Sequence, residues 1–376
     1  HTFEPHDRGA ILVAAVFKAF LRIYRARSAD LYRIATQGTG TLPEGDIHPD
    51  LTARLAAEAA WAADRVLQMC IRAIDYCPPV DITYGDFLRG LITADLDYAP
   101  DDKSGFRVVF IESFREWGIY PAGVRSLGID ALAWPSGDEL MDDETEGIGR
   151  RARELTPRMK RFVTEAGQSW TLDRDRYAVW KELRSLRIAL WKWLHDGDAY
   201  SRDYARLFGL VTVDAEAPPT VYRSGNEPAV EVHSVRPALR RTLDGGIRTD
   251  LVMEMTQRRR GYFDPEEQKA RDDPANPMSK EAAAPDFIFR AGCTALIDPT
   301  TGTVRRVIRT RGAISDDSAL ERMRRFLTGD SDVPGEPAMA GVVGDAYTAG
   351  IARSLRAPAR VTEPFAMLHR AGREAI

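Results

Sequence analysis

The stretch Glu4-Pro5-His6-Asp7-Arg8-Gly9-Ala10-Ile11-Leu12-Val13-Ala14-Ala15-Val16-Phe17 decides how the first third of the chain is read. A polar step carrying a proline and a histidine opens into an apolar run that continues through Ala19, Phe20, Leu21, Ile23 and Tyr24. Aspartate ahead of the run suits an N-cap, and apolar residues on most faces describe a core helix from Asp7 or Arg8 to Tyr24. Lys18 and Arg22 interrupt it, so it falls short of the ~20 apolar residues that a membrane span needs. His6 stands at the mouth of this helix, with Glu4 and Asp7 beside it in sequence. Adjacent carboxylates can hold an imidazole protonated, and its N–H can then be offered to a developing oxyanion. The same histidine can equally cap the helix or satisfy a buried carbonyl.

Outward from this stretch the pattern stays helical to about Gly118. Ala29 to Thr36 reads as a short helix closed by Gln37-Gly-Thr-Gly-Thr, and Leu51 to Tyr76 as a long amphipathic one stopped by Pro78-Pro79. A helix begins at Thr83, with Asp86 as its capping-box partner, and runs to Ala94; another spans Phe106 to Trp117 and closes at Gly118. Pro135, Gly137 and six acids between Asp138 and Glu146 mark a solvated linker without the spacing or mid-loop glycine of an EF-hand. Helical pattern resumes from Gly149 to about Leu194, with Trp170, Trp180, Trp191 and Trp193 on packed faces. From Val221 the period becomes two: Val230–Val235, Leu251–Met255, Phe287–Ile297 and Thr303–Ile308 read as strands, with Asp298-Pro-Thr-Thr-Gly302 turning the last two into a hairpin. A helix follows from Asp317 to Leu327. The expected fold is multidomain: an all-α helical lobe (1–134), an acidic linker (135–148), a helical segment (149–215), a small α+β domain (220–329) and a disordered tail (330–376).

The chain of 376 residues is 44% hydrophobic and 29% charged, a globular profile. Its 52 basic and 56 acidic residues leave a net charge of −4, so no global field favours nucleic acid or an anionic membrane, and neither is expected as a partner. Arg258-Arg-Arg260 lies near Tyr262 and Phe263, yet residues 220–330 hold 19 basic and 17 acidic groups, a net of only +2, and read as an arginine-rich strand end making salt bridges. Cys70 and Cys77 are seven residues apart on a helix, roughly 10 Å, beyond the ~7 Å that a disulfide spans. Cys70, Cys77 and Cys293 are therefore expected as free thiols, which favours the cytoplasm over secretion, and without a CxxC pair no zinc-thiolate site is expected. None of the six histidines, His1, His6, His48, His195, His233 and His369, belongs to an H-E-x-x-H helix. Asp196 and Asp198 beside His195 read as a helix-terminal surface cluster, and Gly38-Thr-Gly40 as a helix-closing loop. No G-x-S-x-G, P-loop or G-x-G-x-x-G pattern occurs.

Four segments together carry a resemblance. His6-Asp-Arg-Gly-Ala-Ile-Leu-Val-Ala-Ala-Val-Phe is followed by Met69-Cys-Ile-Arg-Ala-Ile-Asp-Tyr, then Asp86-Phe-Leu-Arg-Gly-Leu-Ile-Thr-Ala-Asp, then Val108-Val-Phe-Ile-Glu-Ser-Phe-Arg-Glu-Trp-Gly-Ile. Their order over residues 1 to 119 resembles the C-terminal helical lobe of the thermolysin-like zinc metallopeptidases, the gluzincins. The resemblance implies a metallopeptidase (a hydrolase) acting on peptide or protein substrates. His6 would donate a hydrogen bond to the tetrahedral intermediate, Glu4 is the nearest candidate for the acid that orients it, and Asp7 would support it. The family's zinc helix, glutamate base and third zinc ligand lie upstream of this histidine, where only five residues stand here. The chain is thus expected to be a fragment that binds no zinc through its own ligands and is inactive alone. A start at His1 in place of Met also implies that the chain was processed or that an N-terminal part is absent from it. The hairpin from Leu296 through Val304 faintly resembles those of propeptide-type domains attached to such peptidases. The alternative is a non-catalytic helical scaffold or binding protein with an accessory β domain.

Overall fold

Proline at the first helical position lacks only an N–H that would stay unpaired anyway, and Pro5 accordingly starts α1 (Pro5–Ala35). The computed structural model describes residues 5–102, 104–142, 157, 159–164, 175–197, 199–241, 246–281 and 283–328, with backbone alone for 5–7, 240, 241 and 247. Asp7, expected as the cap, lies inside the first turn, where the helix dipole favours an acid. The helix also does not stop at Tyr24; the two helices expected here are one. Arg25-Ala-Arg-Ser contains no breaker. Ser28 Oγ donates to the Tyr24 carbonyl at 2.8 Å, and Arg27 reaches Glu58 at 2.6 Å while lying 3.7 Å over the Trp61 ring. The Arg27 contacts to α2 (Pro49–Ile74) hold the middle of α1 helical. Gly38, at φ +84°, ends it, donating its N–H to the Arg33 carbonyl.

His48 caps α2, its Nδ1 accepting from Asp50 N at 3.1 Å. The capping box of α3 (Tyr84–Tyr98) is the expected one: Thr83 Oγ1 accepts from Asp86 N at 3.1 Å, and Asp86 Oδ2 from Thr83 N at 3.0 Å. Gly90 lets α3 press onto the end of α2, since a Cβ there would meet the Ala73 carbonyl oxygen at 2.8 Å. α4 (Phe106–Glu116) closes at Gly118 as expected. Ala15, Ala19 and Ile23 of α1 pack with Val66, Met69, Leu88, Leu91, Phe110 and Phe114 in one core. Arg107, 4% exposed, ties the lobe internally: Nε bonds Asp95 Oδ2 at 2.7 Å, and Nη1 and Nη2 bond the carbonyls of Pro100 and Asp95 at 3.3 Å. A cation among the last carbonyls of α3 satisfies groups the helix leaves open. The short α5 (Ile129–Leu132) completes this unit, with Leu132 in its core. The described residues of 239–248 group with it, Arg248 Nη1 donating to the Asp97 carbonyl at 2.7 Å.

The other unit contains the described residues of 135–238 and those from Thr249 on. Its first element corrects the reading of residues 135–142 as solvated linker. They form α6 (Gly137–Asp142), with Met141 buried and Gly137 so close to Val304 that a Cβ would meet its carbonyl oxygen at 2.0 Å. Then come α7 (Arg176–Leu194), α8 (Ala199–Leu207), a two-stranded ribbon β1 (Arg223–Ser224) and β2 (Glu227–Pro228), β3 (Glu231–Arg241), β4 (Ile247–Gly261), α9 (Pro265–Asp272), β5 (Phe287–Ile297), β6 (Val304–Arg309) and α10 (Asp317–Thr328). The four long strands lie in the order β3-β4-β5-β6, with Met255 opposite Cys293 and Cys293 opposite Arg309 in antiparallel register. The expected hairpin forms, Asp298 N donating to Thr303 O and Gly302 N to Asp298 O. Leu186, Leu190 and Leu194 of α7 and Tyr204 and Leu207 of α8 share a core with Met253, Met255, Cys293, Ala295 and Val307. Helices set apart from the strands in the sequence reading thus bury their apolar faces on the sheet. The part of the expected linker from 143 on, and the expected tail, lie outside the described residues.

Candidate functional site

Position 6 lies in the first turn of α1, nine residues before the fully buried Ala15, or about 13 Å along its axis. The 3.6-residue period puts 6, 10, 13, 17 and 21 on one face. Two large apolar side chains on that face are in water, Val13 at 67% and Phe17 at 56% exposure. The sequence reading made α1 a buried helix; the structure buries one side only, because its neighbours α2 and α4 cover the Ala15–Ala19–Ile23 side. Next to the exposed face a groove of about 440 Å³ is lined by Ala14, Phe17, Leu21, Arg25 and Trp117. Lys18 and Arg22 at its edge both bond Glu116, and their hydrogen bonds hold that carboxyl below its ordinary range. Glu4 lies outside the described residues, and for His6 and Asp7 the backbone alone is placed.

The other side chains weighed in the sequence have local roles. His195 caps α7, Nδ1 lying 2.8 Å from the Trp191 carbonyl oxygen and the ring stacking on Trp191 at 4.2 Å. Asp198 is outside the described residues. His233 Nε2 lies 2.6 Å from Thr256 Oγ1. Glu139 forms a capping box with Ser136, accepting from its N–H at 2.6 Å, and that bond, with burial opposing it, lowers the carboxyl's pKa. The three thiols are free; burial pushes Cys70 up to about 11 and Cys77 and Cys293 up to about 12. Such thiols are poor nucleophiles at neutral pH.

One cluster escaped the sequence reading. Strand alternation turns Arg259 inward, where it is 0% exposed. Its Nη2 reaches Asp272 Oδ2 at 2.7 Å and Asp317 Oδ1 at 2.6 Å, Nε donates to Thr220 Oγ1 at 3.1 Å, and Nη1 donates to the Ile314 carbonyl at 3.3 Å. Asp272 and Asp317 also line a cavity of about 410 Å³ with Tyr262, Phe287, Glu321 and Arg324. The three consecutive arginines held the signal, because period two must send the middle one to the opposite face.

The resemblance implies zinc. The sequence contains no H-E-x-x-H, and among the described residues no three His, Cys, Asp or Glu side chains gather into a metal site. Among the described residues no helix is long and apolar enough to cross a membrane. Comparison with protein-family models, curated proteins and solved structures returns no match to this chain.

Proposed function

We propose that this chain is the C-terminal part of a gluzincin-type metallopeptidase joined to an α+β domain, its helical unit forming one wall of a peptide-binding cleft. The observation that carries the reading is the exposed apolar face of α1, with Val13 and Phe17 in water and position 6 at its upstream end. An extended peptide laid along such a face buries its own apolar side chains against Val13, Phe17 and the groove beside Trp117. The role assigned to His6 is one hydrogen bond, from an imidazole N–H to the oxyanion that forms as the scissile carbonyl becomes tetrahedral. Asp7 and Glu4 supply negative charge that favours the protonated ring. Substrate binding and this hydrogen bond are the contributions of this chain to the reaction.

Two measurements test the reading. The chain alone should show no EDTA-sensitive peptide hydrolysis; such activity contradicts the view that it is only part of the catalytic apparatus. In a longer protein that contains this chain and an upstream H-E-x-x-H, His6→Ala should lower kcat by ~10²–10³, the scale of losing one oxyanion donor. A change under threefold leaves His6 a structural residue, and a coding sequence lacking the zinc helix upstream favours the scaffold reading.

A further inference from the structure

Beyond the peptidase reading, and independent of it, the strand alternation that buries Arg259 gathers its two neighbours on the opposite face of β4. Val221 bridges Arg259 in antiparallel register, so Tyr222 falls opposite Arg258; on the other side Arg258 is directly opposite Arg290 of β5. Arg260 is two residues along on the same face. Tyr222 packs beneath both guanidiniums of β4, Arg258 at 4.8 Å and Arg260 at 4.4 Å from its ring centroid. Cross-strand neighbours are about 5 Å apart and successive same-face residues about 7 Å, so three arginines stem from one small area of the sheet face.

This patch is undercompensated. Arg258 is paired with Glu231 at 2.6 Å, but among the described residues neither Arg260 nor Arg290 has an ion-pair partner, and Arg290 is exposed. Like charges placed directly opposite in a sheet cost stability, and Arg258 and Arg290 are such a pair. An anionic occupant converts that cost into a gain. Guanidiniums gathered over a tyrosine ring still have N–H groups to offer for bidentate contacts with phosphate, and a planar guanidinium also offers a surface on which a base can stack. A chain with one negative charge per unit matches closely spaced cations better than a single carboxylate does. The net of +2 over residues 220–330 hides this patch, because composition averages over both faces of a strand whereas a ligand meets one.

We infer that the Tyr222–Arg258–Arg260–Arg290 surface binds single-stranded nucleic acid through its phosphodiester backbone, without sequence preference. The test is fluorescence anisotropy of the full chain with a labelled 20-mer oligothymidylate at 50 and 200 mM salt. Three phosphate contacts give a log–log salt slope of about −2, an affinity loss of about 18-fold over that range. R260Q/R290Q should bind at least tenfold more weakly at 50 mM, and its salt loss should fall to under threefold. R290Q alone changes an exposed side chain, so its folding is not at risk; it should show a weakening of its own and a slope reduced by about 0.7. Absence of binding at 50 mM, equal affinity for polyglutamate, or an R290Q that binds like wild type each overturns the inference, the second by assigning the surface to an acidic peptide.

Discussion

Replacing Arg259 with alanine should cost about 3–5 kcal/mol of stability in the unit that contains it, the scale for removing one partner of a buried ion pair. The side chain is fully buried, and its four hydrogen bonds end on groups of unequal vulnerability. Asp317 is 82% exposed and rehydrates at little cost when the guanidinium goes. Asp272 is only 17% exposed and keeps just Thr220 Oγ1 and Gln268 Nε2, the latter at 2.7 Å. Most of the loss therefore falls on one stranded carboxylate, with the Ile314 carbonyl and the vacated volume adding to it. Three variants separate these effects. D317A should cost under about 1 kcal/mol, as exposed pairs do. R259M refills much of the volume yet leaves Asp272 charged, so it should remain destabilised by about 3 kcal/mol. R259M/D272N removes the stranded charge and should recover at least about 1 kcal/mol. The assay is urea unfolding followed by pulsed alkylation of Cys293, read by mass spectrometry. That thiol is buried in β5 of the same unit and so reports on this unit alone. An R259A loss under about 1 kcal/mol, or a double variant no better than R259M, refutes the reasoning.

The remaining predictions concern titration. With folded values near 12 against a reference of 9.0, Cys77 and Cys293 contribute stability that is fully present below pH 9 and is lost as pH rises toward 12. At pH 8 both should resist alkylation in the native state while reacting readily in urea; fast native labelling of Cys293 contradicts its burial. Hydrogen bonds from Arg324 lead those that bring Glu321 down to about 2, with Arg325 assisting and burial opposing. A lowered carboxyl contributes stability present above pH 4.5 and lost as pH falls toward 2. E321Q should therefore flatten the acid limb of a stability–pH curve in that window, and an unchanged acid limb removes the ion pair from the account.

Features written in neighbouring residues could be read directly. Thr83 with Asp86 makes a capping box, and Asp298 to Gly302 makes a turn, because the groups that satisfy one another lie within a few positions. Likewise, alternation from Leu251 onward marks strands, since a half-buried pleat imposes period two on whatever sequence occupies it. The candidate site was half legible. Its helix could be read around His6, but an apolar run does not say which side a neighbour will cover, and Phe17 looks as much like core as Ala15 does.

Contacts distant in sequence decided the rest. Arg27 with Glu58 and Trp61 carries α1 past Tyr24, where local propensity alone allowed a stop. Gly137 against Val304 turns part of an acidic run into a packed helix. Alternation already required Arg259 to face away from Arg258 and Arg260. Which of the two faces became interior depended on Asp272, Thr220 and Ile314, groups 13 to 55 residues away that only folding brings together. A period is a property of the local backbone, but burial belongs to the partner that arrives from elsewhere in the chain.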